Sequence, residues 1–222
     1  MSKAQICLLI GLCCFVGCSS ERDPPDVPYD AKSPRVMELR VLADHDRHDA
    51  IIKLAREQWF QEDKAKRPRT DLVVAPESKS PVARWVVIDS KAEADLVSNP
   101  KYLVRETPGD APKWQILVTL DPFNVTSDYV KRAQPGIDER GRPAVYFSLT
   151  HQGSVRFEKL TGSNLPQNER YSDLGIIVEN TLCSAPRIVT VISNDAQITG
   201  NFTTTETERI AALLMAKPAA TK

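Results

Sequence analysis

Apolar and polar residues alternate over Val36–Leu42 (VMELRVL), which predicts a β-strand. The pattern then changes period. Across residues 44–64, Ile51, Ile52, Ala55, Trp59 and Phe60 recur at helical spacing, and Asp46 or Asp49 is placed to cap the start. Residues 65–82 are polar, carry Pro68, Pro76 and Pro81, and predict a loop. Strands are predicted at 84–89 (RWVVID), 101–106 (KYLVRE) and 114–121 (WQILVTLD), separated or ended by Pro100, Pro108, Pro112 and Pro122.

In the second half, Ser127 opens a short helical piece over 128–133, and 135–143 reads as a turn-rich connection. AVYFSL (144–149) predicts a strand. Thr150 caps a following helix whose apolar positions are Val155, Phe157 and Leu160. Strands follow at 174–179 and 182–193 around Asn180-Thr181, with a short one at 196–200. The clearest helix is 203–216. Thr203 with Glu206, and Thr205 with Glu208, each fit a capping box, and Ile210, Leu213 and Leu214 form its apolar stripe. Strands and helices mix without regular βαβ alternation, so the expected fold class is α+β with a mainly antiparallel sheet and helices packed on it.

The N-terminus has a different character. Lys3 precedes an apolar stretch from Ile6 to Gly17, the length of a signal-peptide core and too short to span a bilayer. Gly17-Cys18 closes it as a bacterial lipobox does, with Phe15 departing from the usual Leu. Residues 1–18 therefore read as a lipoprotein signal with Cys18 as the lipidated (diacylated, palmitate-bearing) residue. A plain secretory signal cleaved near Ser19 or Ser20 is the alternative. Residues 19–35 hold Pro24, Pro25, Pro28 and Pro34 among charges and read as a semi-rigid tether. At ~3.1 Å per residue it would reach at most ~50 Å. Ser19 after the lipidated Cys resembles the class sorted to the outer membrane. The expected location is the cell envelope, facing the periplasm from the outer or inner membrane.

Composition narrows the function classes. The chain has 222 residues, room for one domain or two small ones. Its 29 basic and 29 acidic residues give zero formal charge, which argues against a strongly basic nucleic-acid binder. No apolar run is long enough for an ordinary membrane-spanning helix. Of the cysteines, Cys7, Cys13 and Cys14 leave with the signal and Cys18 takes lipid. Cys183 then remains alone and reads as a small buried apolar residue, with no disulfide framework.

Motifs for catalysis are missing: no nucleophile elbow, P-loop, dinucleotide fingerprint or HExxH. His45 and His48 fall at i, i+3 among aspartates, as two ligands of one metal could. Asp-rich residues at a helix N-terminus explain the same run through the dipole. His151 reads as a surface or capping residue. Asn124 and Asn201 match the N-glycosylation pattern by accident in a bacterial lipoprotein, and Lys64, Lys66, Arg67 and Arg69 read as a solvated loop. No catalytic residue, metal or cofactor is expected.

Five segments in order carry a family resemblance: GRPAVYFSL (141–149), GSVRFEKLT (153–161), LGIIVENTLCSAP (174–186), ITGNFTT (198–204) and the helix with IAALLMA. They resemble the first periplasmic, or head, domain of SecD in the SecD/SecDF protein-export family. That domain shows PAVSF, a helix ending in LT, LxIxLDG, Ser-Ala-Pro and ITGxFT. The resemblance covers about residues 115–216, and MELRVLAD (37–44) resembles the strand that leads into this region. It implies an N-terminal α+β segment over 36–122, a SecD head-like domain over 123–216 and a frayed tail over 217–222.

Pro186, Gly200 and Phe202 are the motif positions to watch. Pro186 would interrupt a ladder, Gly200 suits an unusual φ/ψ, and Phe202 would anchor the last helix in the core. Departures are Glu179-Asn180 for the family's Asp-Gly turn, Asn194-Asp195 for a Gly, and Ala216-Lys217-Pro218 for the final Gly-x-Leu-Pro. Asn tolerates positive φ, so the turn should survive. The family's transmembrane helices do not appear, so proton-driven pulling is not expected to carry over. The resemblance implies a non-enzymatic, lipid-anchored module that binds polypeptide or a partner in protein translocation across the inner membrane. Sec translocon components or exported polypeptides are the expected partners, with the membrane reached through the lipid and no nucleic acid. A repurposed scaffolding envelope lipoprotein without an export role is the alternative, and a metal protein using His45 and His48 is a third reading.

Overall fold

The computed structural model describes residues 36–60, 70–107 and 111–216. The lipobox at Cys18, the tether, the basic cluster at Lys64, Lys66, Arg67 and Arg69, and the tail lie outside them. No helix among the described residues is long and apolar enough to cross a membrane.

The strands are β1 (Met37–Val41), β2 (Leu72–Val74), β3 (Pro81–Ile88), β4 (Val104–Glu106), β5 (Trp114–Thr119), β6 (Val125–Thr126), β7 (Val130–Ile137), β8 (Pro143–Leu149), β9 (Leu174–Val178), β10 (Thr181–Ser184) and β11 (Asp195–Thr199). The helices are α1 (Asp49–Trp59), α2 (Ser90–Val97), α3 (His151–Ser163) and α4 (Thr204–Met215). One sheet runs β4-β5-β3-β10-β9-β1-β6, with β2 also on β3. A smaller sheet runs β11-β8-β7. β3 and β10 pair in parallel, and the other named strand pairs are antiparallel. The fold is thus α+β and mainly antiparallel. The large sheet takes strands from both sides of residue 122: β1 lies on β9, and β3 on β10.

β1 shows why the sheet is buried on both faces. Met37, Leu39 and Val41 enter a core shared with Phe147, Phe157, Ile176, Ile210 and Leu214. The alternate positions, Glu38 and Arg40, are buried too. Their charges are matched rather than solvated. The Glu38 carboxylate accepts from Arg40 Nε at 2.6 Å and from Arg84 Nη2 at 2.6 Å, and Arg84 Nη1 reaches Asn180 Oδ1 at 2.5 Å. Under α2, Leu96 packs with Val86, Ile88, Ile116 and Leu182. Under α1, Ile52 and Ala55 pack with Trp85 and Leu117. There the Arg105 guanidinium lies 3.5 Å from the Trp59 ring centroid and 4.4 Å from that of Trp85, held by Gln115 and Asp71. Burial pulls the Arg105 pKa down, to about 10.

Several elements differ from the sequence reading. Residues 44–48 form a turn, because Asp44 Oδ1 takes the Asp46 and Arg47 amides at 3.0 and 2.9 Å. The helix cap is then His48, without a side-chain bond, rather than Asp46 or Asp49. The proline-bearing stretch 65–82 contains β2 and starts β3. Helix α2 was not predicted. The helical piece expected over 128–133 stops at Tyr129: a single 3-10 turn at Ser127–Tyr129 leads into β7, which runs through Pro135 and Gly136. An edge position makes that possible, since β7 pairs with β8 alone in its sheet. The strand predicted over 182–193 stops at Ser184, two residues before Pro186. Thr150 and Thr203 cap their helices as read, the latter in a full capping box with Glu206.

Candidate functional site

The β9–β10 hairpin turns at Glu179-Asn180, both in the left-handed region with φ of 47° and 65°. The turn sends β10 back between β9 and the end of β3. β3 covers little of it: Thr181 pairs with Val87 and Leu182 with Ile88. There β3 ends, and the chain turns away into α2, whose N-cap Asp89 accepts from the Lys91 amide at 2.9 Å. On its other side β10 bulges at Cys183, since the register with β9 slips between Leu182 and Ser184. The outer edge of β10 beyond Leu182 is therefore not covered by β3.

That edge opens into a groove of about 420 Å³. α2 forms one wall with Asp89, Lys91, Ala92, Asp95 and Leu96. The opposite wall is the 200–202 segment and the start of α4, with Glu206, Arg209 and Ile210. Cys183 to Pro186 line it between these walls.

Two ion pairs brace the groove. Lys91 Nζ spans it, donating to Glu206 Oε1 at 3.0 Å and to the Asn201 carbonyl at 3.1 Å. Arg209 Nη1 meets Glu179 Oε2 at 2.6 Å. The Thr203 amide, then Lys91, hold the Glu206 carboxyl down to about 2. Burial pushes the Cys183 thiol up to about 11, so it is protonated at neutral pH.

Pro186, just past the end of β10, and Gly200 and Phe202, from the segment before α4, all line this groove. Gly200 is there for a different reason than expected. It does not occupy the left-handed region. A Cβ on it would instead sit 2.8 Å from the Phe202 ring. Phe202 is partly buried against the main core. Asp89, Lys91 and Asp95 went unnoticed because α2 went unnoticed. Asp-Ser-Lys directly after an apolar strand is an N-cap signal that would have located it.

The other candidates do not converge. The His48 Nδ1 accepts from the Asp44 amide at 3.3 Å, and burial lowers its pKa. Among the described residues no group of three or more His, Cys, Asp or Glu side chains could hold a metal ion. His151 is the exposed first residue of α3.

Residues 102–218 match the family model of the SecDF P1 head subdomain, which is more than half of the chain. The chain belongs to the SecDF P1 head family. Protein translocase subunit SecD of Aquifex aeolicus is 36% identical to it over 105 residues, 47% of this chain and 20% of that protein. SecD of Elusimicrobium minutum is 37% identical over 93 residues, 41% and 19% respectively. The P1 head chain thus spans about a fifth of the length of these relatives. Two solved SecDF structures overlap it loosely. One is described as a membrane component that enhances protein export, with TM-score 0.39 and 22% identity over 60% of this chain and 61% of that one. The other, SecDF in a super-membrane-facing form, has TM-score 0.40 and 16% identity over 86% and 30%. β10, the 200–202 segment and α4 fall within the matched residues, whereas α2 precedes them.

Proposed function

We propose that this chain is a non-enzymatic SecD-head module that holds extended polypeptide during protein export. The observation that supports it is the outer edge of β10 from Cys183 onward, uncovered by β3 and opening into a 420 Å³ groove whose lining mixes apolar side chains (Leu96, Ala185, Pro186, Phe202 and Ile210) with charged ones. Backbone groups at such an edge accept an added strand, and alternate side chains of the ligand enter the groove. The relatives' name, protein translocase subunit, favours exported chains or translocon components as the occupants.

Lipid anchoring at Cys18 belongs to the same reading and rests on the Gly17-Cys18 sequence after an apolar core. Two or more acyl chains hold a protein on a membrane stably, and the Pro-rich tether then sets the head clear of it, facing the periplasm. Cys18→Ala should release the protein from the membrane fraction. Continued retention would sink the anchor.

In-cell photo-crosslinking from positions within 174–204, followed by mass spectrometry, tests the export reading. Adducts to translocon subunits or to many exported chains are expected. A single recurring envelope partner, or none, would reject this reading in favour of a scaffold.

A further inference from the structure

The groove carries a charge pattern as well as a shape. Four carboxylates line it, Asp89, Asp95, Glu179 and Glu206, against two cations, Lys91 and Arg209. Both cations are already engaged, Lys91 with Glu206 and Arg209 with Glu179. Asp89 uses one oxygen to cap α2. Among the described residues, Asp89 and Asp95 make no ion pair. Two carboxylates without a cationic partner therefore remain on the α2 wall, beside a lining that includes Leu96, Ala185, Pro186, Phe202 and Ile210.

We propose that the groove selects extended peptides in which apolar residues are flanked by Lys or Arg, and that Asp89 and Asp95 set this preference. The proposal rests on the peptide-binding reading above. A strand laid along β10 sends alternate side chains into the groove and the others outward, so an apolar side chain meets the lining while its neighbours pass the α2 wall. Ammonium or guanidinium groups there complement the two carboxylates that lack an ion-pair partner, and acidic groups are repelled. Both aspartates precede residue 102, so this preference belongs to the flank of this chain and not to the part matched as P1 head.

The test uses the full chain in detergent micelles and fluorescence polarisation. Short labelled peptides share one alternating apolar core and differ only in Lys, Gln or Glu flanks. A backbone N-methylated copy of the Lys peptide reports on strand pairing. The Lys peptide should bind on the order of 5-fold tighter than the Gln peptide, the scale of two partly exposed ion pairs, and the Glu peptide weakest. The difference should collapse at high salt. It should also collapse in Asp89→Asn/Asp95→Asn, in which Asn still caps α2. Equal affinities for all flanks, with the N-methylated copy failing to bind, would overturn the charge preference and leave peptide binding standing. A preference that survives in the double variant would overturn the assignment to Asp89 and Asp95. No binding by any peptide would overturn the underlying reading and this inference with it.

Discussion

The Phe202 ring occupies the space that a Cβ on Gly200 would need, with Cε2 2.8 Å and Cζ 3.2 Å from it. The two residues sit between the last strand of the small sheet and the cap of α4, so the ring's seat fixes how that helix leaves the sheet. Gly200→Ala should then destabilise the fold by about 1–3 kcal/mol through overpacking, without any φ penalty. Phe202→Leu in the same chain should recover part of the loss. A double-mutant cycle in denaturant checks this, and additive effects would show that the ring is not what Gly200 accommodates.

Glu38 is the shared acceptor of two buried arginines, Arg40 and Arg84. Glu38→Gln removes the buried carboxylate to which both arginines donate and should cost about 3–5 kcal/mol. The i, i+4 pair Asp49–Lys53 is nearly as short, at 2.7 Å, yet exposed, and Lys53→Ala should leave the melting temperature almost unchanged. Thermal melts of both variants make the comparison. Equal losses would mean that burial does not govern these pairs.

What the sequence disclosed, and what it hid, follows from where the information lies. The caps at Thr150 and Thr203 were legible because an N-cap is a local signal, and at Thr203 it is strengthened by the capping-box Glu206 three positions on. Positive φ at Asn180 was legible for the same reason. β7 was missed because its extended conformation is set by pairing with β8 and by the neighbouring α4, neither written into VKRAQPGI itself. α2 was missed because eight residues give too short a period to stand out. The groove was half legible: family-like motifs pointed to Pro186, Gly200 and Phe202. Its α2 wall depends on β3 ending at Ile88 beside β10, a relation across nearly a hundred residues of chain.

The α4 cap carries a pH signature. Glu206 titrates at about 2 in the folded chain against an ordinary 4.5. A depressed folded value contributes stability that is complete above the unfolded value and disappears as pH falls from about 4.5 through about 2. Glu206→Gln removes that contribution. The gap in melting temperature between wild type and Glu206→Gln should be steady from neutral pH to about 5 and close as pH approaches 2. A gap of constant size at all pH values would show that the carboxylate's charge is not what the Thr203 amide and Lys91 hold.

Cys183 offers a reporter inside the groove. It bulges from β10, its Sγ lies 3.5 Å from the Thr181 carbonyl, and burial holds the thiol up at about 11. The thiolate is the nucleophile, so alkylation at this position should be far slower at pH 8 than that of an exposed cysteine. The rate should climb through pH 10 as the thiolate forms, about tenfold per pH step while the group is mostly protonated. Mass mapping of the Cys183 peptide after iodoacetamide treatment separates it from the N-terminal cysteines. Labelling at the free-thiol rate at pH 8 would mean that this part of β10 opens readily. If a strand does add along the edge, a bound apolar peptide should slow the reaction further, because it covers the side from which reagent enters. Unchanged labelling with the peptide bound would place the peptide elsewhere on the molecule.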